Sequence, residues 1–287
     1  MSAFAAKDFK ASEYSKARPT YPEEFYQILK DYHTGNYDLL VDVGCGPGTA
    51  TFQMAKYMPF KRIIGTDVSS TMINRAKERL TNIPFEGISF EIRSAEDLSM
   101  AEEGTVDMIT VAQCCHWLEF PRFQDAAAKA LRHNGTLAIW GYVDPVFLDH
   151  PELDAMLEDF QFSKSKLGPY WQQPGKTIIR RLFQDLPLSE SSFGNIRDVR
   201  FTAEDARRGI KEPQKPLKIV RTMTIRDFSD YIETWSSYHW WKHDNPGKPD
   251  IRNAFFLNLF ASTHLTWNSS VRVTWNTVYK LGRRLAR

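Results

Sequence analysis

The sequence predicts an α/β fold in which a mainly parallel sheet is covered by helices on both faces. Five apolar, strand-like runs alternate with helical patterns, and a glycine-rich turn directly follows the first run. Continuous apolar strands that alternate with helices are typical of parallel sheets buried on both faces. The 287 residues, 42% of them hydrophobic, are enough for one large domain or a domain with a cap.

The strands follow from short apolar runs bounded by turn residues. The first five are LLVDVG (39–44), RIIGTDV (62–68), ISFEIRS (88–94), VDMITVAQC (106–114) and GTLAIWGY (135–142). Two later runs are candidates to complete the sheet, NIRDVRF (195–201) and VRVTWNTVYKLGRR (271–284).

Helices are predicted between these strands. TATFQMAKYM (49–58) follows the glycines, and SSTMINRAKERL (69–80) has Ser69 or Ser70 as its N-cap. The turn-rich, aromatic stretch from 143 to about 195 predicts a partly helical insertion without clear strands. MTIRDFSDYIETWSSYHWWK (223–242) is also predicted to be helical.

Composition argues against several classes of function. The formal charge of +2 is too small for a protein that binds nucleic acid non-specifically. No apolar stretch reaches the roughly 20 residues that a membrane span needs, and MSAFAAKDFK carries charges where a signal peptide has its apolar segment. We therefore expect a cytoplasmic monomer without nucleic-acid or membrane partners.

Neither a metal site nor a disulfide framework is expected. His239 and His243 stand four residues apart in HWWKH, but the glutamate of a zinc-protease helix is missing and the sequence shows no third ligand. The cysteines are Cys45, Cys114 and Cys115, an odd number with two adjacent, which indicates reduced thiols. The adjacent pair is expected to pack in the core.

The segment LLVDVGCGPGTAT (39–51) is the clearest candidate for a ligand site. Its glycines lie between a strand and a helix, where the backbone can approach a ligand closely and the helix N-terminus favours negative charge. Thr49 stands where a dinucleotide fingerprint needs its third glycine or alanine, which disfavours a nicotinamide or flavin site. Asp67 ends the second strand, where a carboxylate can accept both ribose hydroxyls. A tight turn without a ligand is the alternative.

DVGCGPG, followed by TDVS about 20 residues on, resembles the motifs of class I S-adenosylmethionine-dependent methyltransferases. The resemblance implies a doubly wound, Rossmann-like sheet of seven strands, mostly parallel, with an antiparallel last strand. It implies that S-adenosyl-L-methionine is the cofactor, with Asp42 near its amino group and Asp67 at its ribose. The other residues implied in cofactor binding are Gly44, Cys45, Gly46, Gly48, Ser94, Ala95, Glu96 and Gln113.

Segments beyond these motifs resemble trans-aconitate methyltransferases of the fungal type. They are YSKARPTYP (14–22), CCHWLEF (114–120), IWGYVDP (139–145), LGPYWQQPG (167–175), TWSSYHWWK (234–242) and WNTVYKLGRR (275–284). This resemblance implies methyl transfer to a carboxylate of trans-aconitate, with the 3-methyl ester as the product suggested by the fungal type. A carboxylate with a pKa near ~4 is ionised at neutral pH, so no general base is needed. Alignment and exclusion of water then carry the reaction.

Candidate residues for this chemistry are polar or aromatic. Tyr14 and Arg18, in a segment that the resemblance folds over the cofactor, and His116, after the fourth strand, are the predicted catalytic residues. His116 is a donor to a substrate carboxylate, or the base if the acceptor is a thiol or phenol. The predicted acceptor site consists of Trp117, Tyr142, Tyr170, Trp171, Arg221, Trp235 and Tyr238, with Arg180 and Arg181 as further anion clamps. Core packing and surface charge are the alternatives for each.

We predict four regions along the chain. Residues 1–35 form an N-terminal lid and 36–142 the cofactor-binding core. Residues 143–264 form a cap and substrate region, with one core strand near 195–201, and 265–287 complete the sheet. Two other functions stay open: methylation of another small acid, thiol or phenol, and cofactor binding by a regulatory protein without turnover.

Overall fold

The structure is a computed structural model that describes residues 18–82, 85–209 and 215–286. Its strands are β1 (Leu39–Val43), β2 (Arg62–Asp67), β3 (Ile88–Ile92), β4 (Val106–Ala112), β5 (Leu131–Phe147), β6 (Phe193–Phe201), β7 (Val220–Thr224) and β8 (Ser270–Arg284). Its helices are α1 (Glu23–Tyr32), α2 (Thr49–Tyr57), α3 (Ser70–Leu80), α4 (Phe120–Ala130), α5 (Asp154–Phe162), α6 (Gly175–Arg180), α7 (Ala203–Arg208), α8 (Ile225–Glu233), α9 (Ser236–Asp244) and α10 (Ile251–Ser262). Tyr14 lies outside the described residues.

All the described strands belong to one mixed sheet. The order is β3-β2-β1-β4-β5-β8-β6, and β7 also pairs with β8. Strands β1 to β5 pair in parallel, whereas β8 runs antiparallel to β5, β6 and β7. The chain moves outward from β1 to β3 and then returns to the other side of β1 with β4. The switch point of the sheet therefore lies between β1 and β4.

The two faces of the sheet bury different cores. Leu40 of β1 belongs to the core that includes α1, α2 and the cap helices. Its neighbours Leu39 and Val41 belong to the core that includes α4. Successive side chains of a strand point to opposite faces, so this alternation follows from the strand geometry. Helices thus cover both faces, as predicted.

The positions of the seven predicted strands are confirmed, but the sheet has an eighth strand. Strand β7 was missed, and its last two residues fall in the segment predicted as one helix over 223–242. That segment holds two helices, α8 and α9, with Thr234 and Trp235 between them. Thr224 accepts from the backbone N–H of Asp227, whose side chain accepts from Thr224 N, and this capping box sets where α8 begins.

Two smaller predictions, on a helix N-cap and on the cysteines, can be compared with the structure. Ser69 is the N-cap of α3, because its side chain accepts from the backbone N–H of Met72. The three cysteines are free thiols, and of the adjacent pair predicted to pack in the core, Cys115 is buried there whereas Cys114 is only partly buried against it. No helix in the described part of the chain is both long enough and apolar enough to cross a membrane.

Candidate active site

The loop between β1 and α2 carries its glycines in left-handed backbone conformations. Gly44, Gly46 and Gly48 have φ angles of +63°, +55° and +80°, which other residues adopt only with strain. A Cβ on Gly44 would lie 2.2 Å from Sγ of Cys114, and one on Gly48 would lie 2.7 Å from Phe52. A Cβ on Gly46 would meet no atom within 4 Å, because this glycine faces an open cavity.

This first cavity has a volume of about 250 Å³. It lies where β1, β2 and β4 end, at the switch point where open α/β sheets bind ligands. Of the residues predicted to bind a cofactor, those that line it are Gly44, Cys45, Gly46, Asp67, Ala95 and Gln113. Gly48 and Asp42 are not among its lining residues.

The segment predicted to bind adenine reaches the first cavity at one residue. Ala95 is buried and lines the cavity. Ser94 is exposed, and Glu96 lines a separate groove, so neither lines this cavity. Val68, which sequence analysis missed, lines it with 71% of its surface exposed. Ala95 and Val68 therefore provide apolar surface that can contact a flat ring.

Asp67 connects the end of β2 to the glycine loop. One carboxylate oxygen accepts from the backbone N–H of Gly46 at 3.0 Å and the other from Ser69 N at 2.8 Å. Burial raises the pKa of Asp67, against the effect of these hydrogen bonds. Its carboxylate both holds the loop and lines the first cavity.

Asp42 lies behind the loop rather than in the cavity. It is fully buried, and its two oxygens accept from the hydroxyls of Thr51 at 2.6 Å and Thr110 at 2.7 Å. The resemblance places Asp42 near the amino group of the cofactor. Asp42 has no exposed surface, however, through which it could contact a ligand. Burial raises the pKa of Asp42 to about 6, and the nearby Asp67 adds to this effect. Asp42 ties α2 and β4 to β1.

This buried carboxyl makes stability depend on pH. The folded-state pKa of Asp42 is about 6, against about 3.9 in an unfolded chain. Protonated Asp42 thus stabilises the folded state fully below about pH 4. About 3 kcal/mol of this stabilisation is lost as the pH rises through about 6. We expect urea unfolding of wild type and Asp42→Asn to show this as a difference in free energy of unfolding that changes by about 3 kcal/mol between these pH values. A difference that stays constant would contradict the assignment.

A second cavity of about 90 Å³ adjoins the first. Among the described residues, four line both cavities: Arg18, Gln113, Trp117 and Tyr142. The side-chain amide of Gln113 donates to Tyr142 O at 2.8 Å and accepts from Tyr142 N at 2.7 Å. These two hydrogen bonds fix the wall between β4 and β5 where the cavities meet.

Arg18 and His116 bring different charges to the second cavity. Nη2 of Arg18 donates to the carbonyl of Thr234 at 2.9 Å, and its guanidinium lies 5.3 Å from the ring centre of Tyr231. Burial, with a smaller effect of the Lys176 charge, lowers the pKa of His116 to about 3. The imidazole is therefore neutral at physiological pH. It can donate a hydrogen bond, but it is a weak base for a thiol or phenol.

The predicted acceptor residues divide into two groups. Trp117, Tyr142, Trp171 and Trp235 line the second cavity. Three others do not line it: Tyr238 is 2% exposed and donates to Asp250, Tyr170 accepts from Asn245, and Arg221 lies on β7 opposite Val273. The two further arginine candidates do not line it either, and both form ion pairs, Arg180 with Asp144 and Glu158 and Arg181 with Asp185. These five residues are corrections to the prediction.

Sequence analysis also missed polar residues of the second cavity. Lys176, Asp144 and Gln161 line it, together with Tyr231. Lysine and aspartate side chains are mostly exposed in proteins, so finding one in a sequence does not indicate that it lines a cavity. LGPYWQQPGK contains Lys176 directly after the aromatic segment, which is the one local signal for its position.

Comparison with known proteins relates the chain to methyltransferases. Residues 40–135 match the model of a family described as a methyltransferase domain. A Saccharomyces cerevisiae protein described as a probable S-adenosylmethionine-dependent methyltransferase is 31% identical over 283 residues, 97% of each chain. A candidate methyltransferase of Dictyostelium discoideum is 28% identical, over 79% of this chain and 75% of its own length. The solved structure of a candidate type II methyltransferase from Anaeromyxobacter dehalogenans has a TM-score of 0.71 at 22% identity, over 94% of this chain and 99% of its own.

Proposed function

Because this chain belongs to the class I S-adenosylmethionine-dependent methyltransferases, we propose that it methylates a carboxylate of a small organic acid. The candidate acid is trans-aconitate, and the product its monomethyl ester. The proposal rests on one observation: Arg18 lines both cavities, and the neutral His116 lines the second.

The residues of the first cavity fit the cofactor. Gly46 leaves open space above the loop, and the Asp67 carboxylate stands at the end of β2 as an acceptor for ribose hydroxyls. Val68 and Ala95 offer apolar surface for adenine. When bound, S-adenosylmethionine supplies a methyl group on a positively charged sulfur, which a nucleophile can accept.

The residues of the second cavity suit an acceptor that is already ionised. A guanidinium such as that of Arg18 binds carboxylates well, because its paired N–H groups match the two oxygens. The neutral imidazole of His116 can donate one hydrogen bond but has little capacity to hold the proton of a thiol or phenol. The rings of Trp117 and Tyr142 provide apolar surface where the two cavities meet. These residues orient the acid, and no base is required.

In this proposal each predicted region contributes residues to one or both cavities. The core, residues 36–142, provides most of the first cavity. The region 143–264 provides Asp144, Trp171, Lys176 and Trp235 to the second. The lid, 1–35, contributes Arg18 to both.

The test is release of S-adenosylhomocysteine with trans-aconitate, citrate, isocitrate and a set of thiols and phenols, with product masses read by mass spectrometry. We expect a product with one added methyl group, selective for trans-aconitate, and fragmentation of that ester would give the methylated position. If only a thiol or a phenol were methylated, the acceptor would belong to that class and not to the carboxylic acids. Tight cofactor binding without turnover of any acceptor would favour a regulatory protein.

Asp67 allows a test of the cofactor site that does not depend on the acceptor. Asp67→Asn is expected to weaken binding of S-adenosylmethionine by roughly 1.5 to 3 kcal/mol, because a charged hydrogen-bond acceptor is lost. Isothermal titration calorimetry measures this change. Asp107→Asn is the matched control, since Asp107 also accepts from two backbone N–H groups, those of Asp38 and Leu39, at the other end of the sheet. The control is expected to lower stability and leave cofactor affinity unchanged, and equal affinities in all three proteins would rule out the role of Asp67.

A further inference from the structure

Four charged side chains form a cluster beside the second cavity, and the proposed transfer step does not use them. Lys176 and Arg180 come from α6, Asp144 from β5 and Glu158 from α5. Nζ of Lys176 lies 3.1 Å from one oxygen of Asp144, and Nε of Arg180 lies 2.7 Å from the other. Arg180 also contacts Glu158 at 3.0 Å. We call these residues the α6 cluster. Within it, Lys176 and Asp144 line the second cavity and neither lines the first.

The backbone departs from regular strand geometry where Asp144 enters the α6 cluster. Asp144 has a φ angle of +50°, and the pairing of β5 with β8 shifts register between Val143 and Pro145. Such a bulge turns a side chain away from the regular direction of its strand. Aspartate is one of the few residues other than glycine that adopt this left-handed conformation routinely. Here the bulge places the carboxylate between Lys176 and Arg180.

Lys176 is held in an enclosed position that favours a charged partner. Its side chain is 11% exposed, and Nζ lies 4.1 Å from the ring centre of Trp171 and 5.1 Å from that of Phe162. Burial lowers the pKa of Lys176, and the charge of Asp144 opposes this change. An ammonium has three N–H donors, and among the residues that the structure describes, Asp144 accepts one of them. Lys176 lines the second cavity, so an anion bound there can accept a further N–H from it.

Positively charged side chains outnumber negatively charged ones in the described lining of the second cavity. Its described lining contains the cations Arg18 and Lys176 and the anion Asp144, while His116 is neutral. Asp144 also neutralises part of the charge of Arg180. A monocarboxylate bound at Arg18 would leave Lys176 to share one carboxylate with Arg180. A second carboxylate on the acceptor would give Lys176 a partner of its own.

We propose that Lys176 binds a second carboxylate of the acceptor, so that the enzyme selects di- and tricarboxylates over monocarboxylates. This inference rests on the proposed function, because it places the acceptor in the second cavity with its first carboxylate at Arg18.

The test compares acids of different charge on the full chain saturated with S-adenosylhomocysteine. Trans-aconitate, fumarate and crotonate are the probes, and isothermal titration calorimetry measures their affinities for wild type and Lys176→Met. Methionine keeps the unbranched side chain against Trp171 and removes the charge. We expect the variant to bind trans-aconitate and fumarate about 30-fold more weakly, which corresponds to about 2 kcal/mol, and crotonate within about threefold of wild type. Lys166→Met is the control, because Lys166 pairs with Asp159 and does not line the second cavity.

Two results would overturn the inference: equal loss of affinity for crotonate and the polycarboxylates, or no loss for either. Failure of the proposed function is seen separately. Polycarboxylates that bind through Lys176 but are not methylated would refute carboxyl methylation and leave the binding role of Lys176 intact. Methylation of acids with equal efficiency by wild type and Lys176→Met would refute the role of Lys176 alone. If no carboxylate binds to the wild-type protein, both proposals are wrong.

Discussion

Gly46→Val is expected to abolish binding of S-adenosylmethionine while the protein still folds. A Cβ at this position meets no protein atom within 4 Å, so the isopropyl group would extend into the space that the cofactor needs. We expect affinity to fall by more than about 100-fold, or about 2.8 kcal/mol. Calorimetry with S-adenosylmethionine and S-adenosylhomocysteine measures the loss, and circular dichroism with thermal unfolding checks the fold.

Gly104→Val is the matched control for this variant. Gly104 has a φ angle of +73°, and its Cβ would also meet no atom within 4 Å, but it does not line the first cavity. Valine in a left-handed conformation costs roughly 1 to 3 kcal/mol at either site, so both variants should lose similar stability. Only Gly46→Val should lose the cofactor. Retained affinity in Gly46→Val would mean that the loop is a turn without a ligand.

Gly44→Ala is expected to lower the free energy of unfolding by roughly 2 to 5 kcal/mol. The added Cβ would lie 2.2 Å from Sγ of Cys114, and φ at Gly44 is +63°. Neither contact nor conformation can be relieved by rotating the new methyl group. Urea unfolding followed by fluorescence measures the change.

Cys114→Ala separates the two causes. Removing Sγ relieves the closest overlap, although Cβ of Cys114 would still lie 2.9 Å from the new methyl group. In the double variant we expect a coupling free energy of roughly 1 to 2 kcal/mol in favour of folding, since residues in contact are not additive. Additive effects of the two substitutions would show that the overlap with Sγ contributes nothing to the loss, and would leave backbone strain and the Cβ contact as its causes.

Strands β1 to β5 could be predicted because their signals are local. A continuous apolar run such as that of β4 is buried whichever neighbours it pairs with. Strand β7 was missed because it pairs with β8, about 50 residues away, and precedes a helix that dominates the local pattern. A five-residue edge strand depends on that distant partner more than on its own composition.

The first cavity was more predictable than the second for a similar reason. The glycine loop and Asp67 lie within one strand–turn–helix–strand unit, where spacing limits the geometry. The second cavity brings together Arg18, Gln113, Lys176 and Trp235 from four distant segments. Residue type does not show which face a side chain takes, so Tyr238 and Trp235, three residues apart, were predicted alike. The structure places Trp235 at the second cavity and Tyr238 against Asp250.

The position of β8 has a consequence for the order in which the protein is built. Among the described strands, β6 and β7 pair only with β8, which is the last strand in chain order. Tyr231, in the wall of the second cavity, accepts a hydrogen bond from Nε1 of Trp275 on β8. Among the described residues, those that line the first cavity all precede β6 in the chain, and the last of them is Tyr142. The wall of the second cavity that contains Tyr231 is complete only when β8 has joined the sheet, so the last strand of the chain supports a site made of earlier residues.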